Sequence, residues 1–76
     1  MFKKELKIFL KSATQKTIKS DGEDLIKKGI LDSFTMIELI NFIERKFKVP
    51  VDMDEISPEN FNSLETISRK IKQWSN

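Results

Sequence analysis

The chain has 76 residues and contains neither cysteine nor histidine. Without cysteine it can form no disulfide, no thiolate nucleophile and no zinc knuckle. Without histidine it lacks the commonest general base and metal ligand among side chains. These two absences indicate that reactive chemistry in this protein would need a group attached to the chain.

Glycine is scarce too, with only Gly22 and Gly29 in the sequence, so no glycine-rich phosphate-binding loop exists. The acidic segment that starts at Asp52 lacks the central glycine of an EF-hand loop and the glutamate at its twelfth position. A chain this short also offers no deep cleft in which a pair of acids would acquire shifted pKa values. We therefore expect no metal site and no catalytic residue, which means that the protein is not an enzyme.

Long apolar runs are absent as well, and none approaches the ~20 residues that a membrane-spanning helix needs. The first residues lead into a charged segment, unlike the apolar core of a signal peptide. We therefore expect a cytoplasmic protein without a membrane span.

Residues 1–31 carry eight lysines against four acids, whereas residues 32–60 carry seven acids against three basic residues. A nucleic-acid-binding domain would concentrate basic residues on its docking element, so we expect no nucleic-acid partner. The alternative is a small helical domain that binds nucleic acid through the lysine-rich first helix, and it ranks below the two interpretations given later in this section.

Hydrophobic periodicity predicts an all-α protein, a small irregular four-helix bundle in which residues 1–76 form a single domain. The predicted elements are a first helix over 2–17, a second over 33–48, a short third at 58–61 and a last helix that carries Leu64, Ile67, Ile71 and Trp74 inward. Ser57 and Pro58 are typical of a helix start, and the spacing of Asn62 and Glu65 predicts a capping box for the last helix. Gly29 is expected to allow a backbone turn before the second helix.

The second helix has two contrasting faces when it is projected at 100° per residue. Its predicted core face consists of Met36, Leu39, Ile40, Ile43 and Phe47. The opposite face consists of Phe34, Ile37, Glu38, Asn41 and Arg45, with Glu44 at its margin. Apolar residues on this outer side are not needed for folding, so their grouping favours a contact surface for partners. The alternative is that they are ordinary surface apolar residues.

Ser33 stands where a connection becomes the first turn of this helix. An anion on its hydroxyl would lie close to free backbone N–H groups and the positive end of the helix dipole. The simplest alternative is that Ser33 is only the N-cap. Asp32 could cap the helix instead, which would leave the Ser33 hydroxyl free.

The sequence from Gly29 to Ile40, GILDSFTMIELI, followed by Ile43, Glu44 and Phe47, resembles the Asp-Ser-Leu region and recognition helix of acyl carrier proteins. The resemblance extends over nearly the whole chain, from the acidic-apolar segment at Asp24 to the short helix after Ser57. It implies that a phosphopantetheinyl transferase uses coenzyme A and Mg²⁺ to attach 4′-phosphopantetheine to Ser33. The thiol of that group would hold an acyl or aminoacyl group as a thioester.

The same resemblance implies roles for residues around Ser33. Asp32 matches the acid next to the attachment serine. Partner enzymes would contact the outer face, here Phe34, Ile37, Glu38, Asn41 and Glu44. Those partners would be a ligase that loads the acyl or aminoacyl group and the transferases or synthases that act later, and the carrier is expected to be a monomer.

Several positions depart from the pattern of fatty-acid carrier proteins. Phe34 replaces the usual leucine, and Thr35 and Asn41 stand where those carriers often have an acid and a methionine. Arg45 and Lys46 occupy positions that are commonly acidic, and partner choice depends on such charges. We therefore expect a specialised free-standing carrier of a polyketide, nonribosomal-peptide or D-alanyl transfer pathway.

Two alternatives stay open within the family, a housekeeping fatty-acid carrier and an adaptor that keeps the fold without the prosthetic group. A sequestered acyl chain would enter between the helices, in a cavity lined by Leu39, Ile43, Phe61 and Ile67. Arg45, Lys46, Phe34 and Ile37 are where we expect the choice of partner to be determined.

Overall fold

The computed structural model describes residues 2–75, which form four α-helices and one short 3-10 turn. The helices are α1 (Phe2–Thr14), α2 (Ser33–Phe47), α3 (Pro58–Phe61) and α4 (Leu64–Ser75), and the 3-10 turn covers Met53–Glu55. No strand occurs in this part of the chain. The predicted all-α fold with three main helices and one short helix is confirmed. None of the helices within residues 2–75 combines the length and the apolar character that crossing a membrane requires.

The helices enclose one hydrophobic core, in which α1 packs on both α2 and α4 and α3 packs on α4. The rings of Phe9 and Phe42 stack with their centroids 4.3 Å apart, and those of Phe2 and Phe47 meet edge to face at 5.0 Å. These two contacts show that α1 and α2 run antiparallel. Phe61 is completely buried, and through it the single turn of α3 contributes a large side chain to the core.

The first helix is shorter than predicted, because it ends at Thr14 and not near Thr17. Gln15 has a left-handed backbone with φ of 63°, which ends the helical path. The Thr14 hydroxyl donates to the Leu10 carbonyl at 2.7 Å and accepts from the Lys16 N–H group at 3.2 Å. The chain then turns, and Ile18 in the connection after α1 is buried in the core.

The predicted capping box of the last helix is wrong by one residue. Ser63 caps α4, since its hydroxyl accepts from the Thr66 N–H group at 3.1 Å and the Thr66 hydroxyl accepts from the Ser63 N–H group at 3.2 Å. Asn62 already has helical dihedrals (φ −88°, ψ −10°) as the last residue of the preceding turn, so it lacks the extended backbone of an N-cap. Glu65 pairs instead with Lys3, at 2.6 Å.

The connection between α1 and α2 is held by its own backbone hydrogen bonds. The Leu25 carbonyl accepts from the N–H groups of Ile30 and Leu31, at 2.9 and 3.0 Å, and all three side chains are buried. Gly29 has φ of +76°, in the left-handed region that glycine adopts without strain. This compact turn delivers the chain to the start of α2.

Candidate functional site

Asp32 and not Ser33 caps α2. Asp32 has an extended backbone (φ −114°, ψ −173°), and its carboxylate accepts from the Thr35 N–H group at 2.8 Å. Its backbone carbonyl accepts from the Met36 N–H group at 2.8 Å, the first hydrogen bond of the helix. Ser33 is therefore the first residue within α2, exposed to solvent, and its hydroxyl makes no hydrogen bond to any group in residues 2–75.

The charge next to this hydroxyl is fixed by the same cap. The hydrogen bond from the Thr35 N–H group lowers the pKa of Asp32 below its ordinary value, because it stabilises the ionised carboxylate. Asp32 is thus an anion at neutral pH. The unpaired N–H groups in the first turn of α2 favour negative charge at this end of the helix.

The outer face of α2 is arranged as the sequence predicts. Phe34 and Ile37 are 69% and 61% exposed, and they lie beside the first turn that carries Ser33. Asn41 and Glu44 are exposed, and Glu38 is half-buried. The use of this face by partner enzymes stays a prediction.

Glu44 also has a structural contact that the sequence did not reveal. One oxygen of its carboxylate accepts from the Val51 N–H group at 3.2 Å, and this ties the connection after α2 back to the helix. Val51 is buried, so the hydrogen bond helps to hold the path of the chain toward the 3-10 turn. The contact links residues seven apart around a turn, and no local sequence pattern identifies it.

At the 3-10 turn, the sequence did not reveal that Met53 is exposed or which groups the acidic residues contact. Met53 is 65% exposed and adds an apolar side chain to the surface. The acids around it serve as caps and ion pairs: Asp52 accepts from the Asp54 N–H group at 3.0 Å, and Glu55 pairs with Lys70. Among residues 2–75 no three acids group as a metal site would require.

The residues expected to line a space for an acyl chain all lie in the hydrophobic core. Leu39, Ile43, Phe61 and Ile67 are each completely buried. The depression that contacts Ser33 lies elsewhere, between the turn before α2 and the start of that helix. It has a volume of about 300 Å³ and is lined by Ile26, Leu31, Asp32, Ser33 and Met36.

Comparison with curated proteins finds two relatives of this chain. The chain is 35% identical to a D-alanyl carrier protein of Streptococcus uberis over 54 residues, which are 71% of this chain and 68% of the relative. The chain belongs to the carrier protein family. It is also 38% identical over 45 residues to a D-alanyl carrier protein of Streptococcus suis, which covers 59% of this chain and 57% of that relative. No family model matches the chain.

Two solved structures agree with the fold, and the description of one of them names a carrier protein. The carrier protein is similar to a chain in a crystal structure of a Bradyrhizobium japonicum glycine:[carrier protein] ligase complexed with its cognate carrier protein and an analogue of glycyl adenylate. The TM-score is 0.75 at 29% identity, over 95% of this chain and 92% of that chain. The protein is also similar to a chain in the crystal structure of an FAD-dependent dehydrogenase, with a TM-score of 0.76 at 28% identity. This match covers 87% of this chain and 97% of that chain. The family resemblance read from the sequence is therefore confirmed.

Proposed function

We propose that this protein is an aminoacyl carrier whose prosthetic group, 4′-phosphopantetheine, is attached to Ser33. The observation that carries the proposal is the capping of α2 by Asp32, which leaves the Ser33 hydroxyl exposed and without a hydrogen-bond partner within residues 2–75. In the attachment step the serine oxygen forms a bond to the β-phosphorus of coenzyme A. The phosphoanhydride bond breaks, adenosine 3′,5′-bisphosphate leaves and the hydroxyl proton is released.

The residues around Ser33 fit an attached phosphodiester. The first turn of α2 favours an anion, and the exposed position admits the transferase. The attached group supplies a terminal thiol that holds cargo as a thioester, which a chain without cysteine cannot do. Ser33 anchors the group, and Asp32 caps α2 so that the Ser33 hydroxyl is free to carry it. We assign the chain no catalytic residue.

A small amino acid is the cargo that the observations favour, with alanine of the D configuration first among candidates. The two curated relatives are named as D-alanyl carrier proteins, and the ligase in the similar complex is named for glycine. A small aminoacyl group needs no internal cavity. The completely buried core residues Leu39, Phe61 and Ile67 need not move apart for such a cargo.

The partners that follow from this function are a phosphopantetheinyl transferase, an adenylating ligase and a transferase that accepts the aminoacyl group. We place their contacts on the outer face of α2, where Phe34 and Ile37 supply the apolar centre and Glu38, Asn41 and Glu44 surround it. Coenzyme A and ATP are consumed in modification and loading, so we place the carrier in the cytoplasm. We also propose that residues 1–76 form one carrier domain, since one core joins the helices of residues 2–75. It acts as a monomer, because a carrier has to visit several enzymes in turn.

Modification and loading can be tested in sequence on the purified protein. Incubation with coenzyme A, Mg²⁺ and a broad-specificity phosphopantetheinyl transferase is expected to add the mass of one phosphopantetheinyl group. Ser33→Ala should abolish the addition, whereas Ser12→Ala, at an exposed serine of α1, should not. The proposal is wrong if no group is added or if the addition survives Ser33→Ala.

Loading then identifies the cargo class. With ATP and a ligase that adenylates D-alanine or glycine, we expect the modified protein to gain one aminoacyl group that hydroxylamine releases, as it does for a thioester. Loading by a fatty-acyl ligase only would favour the fatty-acid carrier instead. A protein that is unmodified in its native host, and whose Ser33→Ala variant is functional there, would favour the adaptor.

A further inference from the structure

Ser33, which is exposed, lies on the rim of an open, mostly apolar depression of about 300 Å³ that Asp32 also lines. The connection before α2 contributes Ile26 and Leu31 to its walls, and the first turn of α2 contributes Met36. Leu31 is buried, whereas Ile26 and Met36 are half-buried and pack against the core. Because Ser33 itself lines the depression, a group bonded to its hydroxyl oxygen begins at the rim.

We propose that Ile26, Leu31 and Met36 form a seat for the apolar part of the 4′-phosphopantetheine arm. This inference rests on the proposed attachment at Ser33 and goes beyond it by naming the surface on which the arm lies. The arm carries a quaternary carbon with two methyl groups a few bonds from the phosphate, and polar amides farther out. The geminal methyl groups are therefore the part of the arm that reaches the depression.

Physical chemistry favours this seat over the other surfaces within reach. The core residues Leu39, Ile43 and Ile67 are completely buried, so the core would have to open before an arm could reach them. Ile37 is one turn from Ser33 but is 61% exposed on the outer face, where an arm would be covered on one side only. The open depression offers the methyl groups apolar contact from Ile26, Leu31 and Met36 together, which one exposed side chain does not.

A weak interaction is enough, because the arm is tethered at the rim. A short tether gives an effective concentration in the mM range, so a contact too weak to hold free ligand still orders a tethered one. Met36 is suited to such a contact, since its unbranched side chain adapts to the shape of its neighbour. With the methyl groups in the seat, the thiol end and its cargo stay outside the bundle, where a partner enzyme can reach them.

Methyl NMR of the modified protein tests the seat. We would label isoleucine and methionine methyl groups and record nuclear Overhauser effects to the geminal methyl protons of the arm. We expect cross-peaks to Ile26 and Met36, and none to Ile8, an isoleucine of α1 with 61% exposure that serves as the reference. Cross-peaks to Ile43 or Ile67 would place the arm inside the bundle and overturn the proposal.

Two other results also contradict the seat. Cross-peaks to Ile37 without Ile26 would place the arm on the outer face, and the complete absence of cross-peaks would mean that it moves freely in solvent. Mass spectrometry of the same sample separates this inference from the proposed function. A protein that gains the group at Ser33 without the expected cross-peaks disproves only the seat, whereas a protein that gains no group disproves both.

A variant pair adds a second readout. Ile26→Ala should remove the cross-peaks between the arm and Met36 while the mass gain at Ser33 persists, and Ile8→Ala should leave the cross-peaks unchanged. The backbone amide spectrum reports whether each variant is folded. The wild-type cross-peaks decide the question by themselves if Ile26→Ala does not fold. Met36 cross-peaks that persist in a folded Ile26→Ala protein would exclude Ile26 from the seat.

Discussion

At the residue scale, adjacent side chains at the start of α2 have separate tasks. Asp32 uses its carboxylate to accept the Thr35 N–H group at 2.8 Å, so the helix is capped before Ser33. The hydroxyl of Ser33 is consequently available for modification. The sequence left two alternatives for the N-cap of α2, Asp32 or Ser33, because both aspartate and serine are good N-caps.

We predict a pH-dependent difference in stability between the wild-type protein and Asp32→Asn. The pKa of Asp32 is lowered in the folded protein, chiefly by the hydrogen bond from the Thr35 N–H group, so ionised Asp32 stabilises the fold above the ordinary aspartate pKa of about 4. This contribution is lost as the pH falls through the folded-state pKa. Asparagine still accepts the capping hydrogen bond but carries no charge.

Urea unfolding at neutral pH and near pH 3 measures this difference. The wild-type protein should exceed Asp32→Asn in free energy of unfolding at neutral pH, and the gap should shrink at the lower pH. Asp32→Ala, which also removes the acceptor, should be less stable than Asp32→Asn at neutral pH. A gap that is equal at both pH values would show that the charge of Asp32 does not contribute.

At the element scale, local signals located the starts of α2 and α3 but misplaced the end of α1 and the start of α4. Ser57 caps α3 as predicted, with its hydroxyl accepting from the Asn60 N–H group at 3.3 Å. The end of α1 was misplaced because Gln15 is not a residue type that marks a left-handed turn. The start of α4 was misplaced because Asn62, a good N-cap by type, still belongs to the turn of α3.

We predict that the two glycines respond differently to alanine. Gly29 has φ of +76°, and a Cβ atom there would meet Lys16 Nζ at 3.6 Å, so the cost arises from backbone strain and not from a clash. Gly29→Ala should lower the free energy of unfolding by about 1–2 kcal/mol. Gly22 is the matched control, because a Cβ atom there meets nothing within 4 Å. Gly22→Ala should change the free energy of unfolding by less than about 0.5 kcal/mol.

Chemical denaturation of both variants measures this difference directly. Equal stabilities for the two variants would mean that the turn before α2 relaxes without cost. The mass gain on modification in the same preparations reports whether the turn also matters for presenting Ser33.

At the scale of the whole molecule, the outer face of α2 divides into regions of different charge. Glu38 lies near the Ser33 end together with the apolar residues Phe34 and Ile37. At the far end, Arg45 on this face lies next to Glu44 at its margin, and Lys46 lies on the side of the helix toward α1. Both basic side chains are exposed. An enzyme that docks along the whole helix would have to match both signs, and this would discriminate against partners built for a uniformly acidic carrier.

We predict that Phe34→Ala and Ile37→Ala each reduce loading by the cognate ligase. An exposed apolar side chain at the centre of an interface contributes more than about 1 kcal/mol to binding, so kcat/KM for the carrier should fall roughly tenfold. Ile8→Ala is the control, because Ile8 is as exposed as Ile37 but lies on α1. Unchanged thermal unfolding would show that the effect is on docking, and equal losses in all three variants would argue against a specific face.

The sequence by itself determined the helical class, the two faces of α2 and the residue positions of the family motif. These properties depend on spacing within one element and on residues a few positions apart, so they can be read without knowing where the chain goes next. The absence of cysteine and histidine likewise restricted the chemistry before any fold was known.

Only the tertiary structure decided which residue caps α2, that Glu44 holds the Val51 N–H group, and that Leu39, Ile43, Phe61 and Ile67 are completely buried. It also brought Ile26 beside Met36 and Ser33. The reason is physical: hydrogen-bond choice between two competent caps and the filling of space depend on distances between segments that folding brings together, which local sequence does not specify.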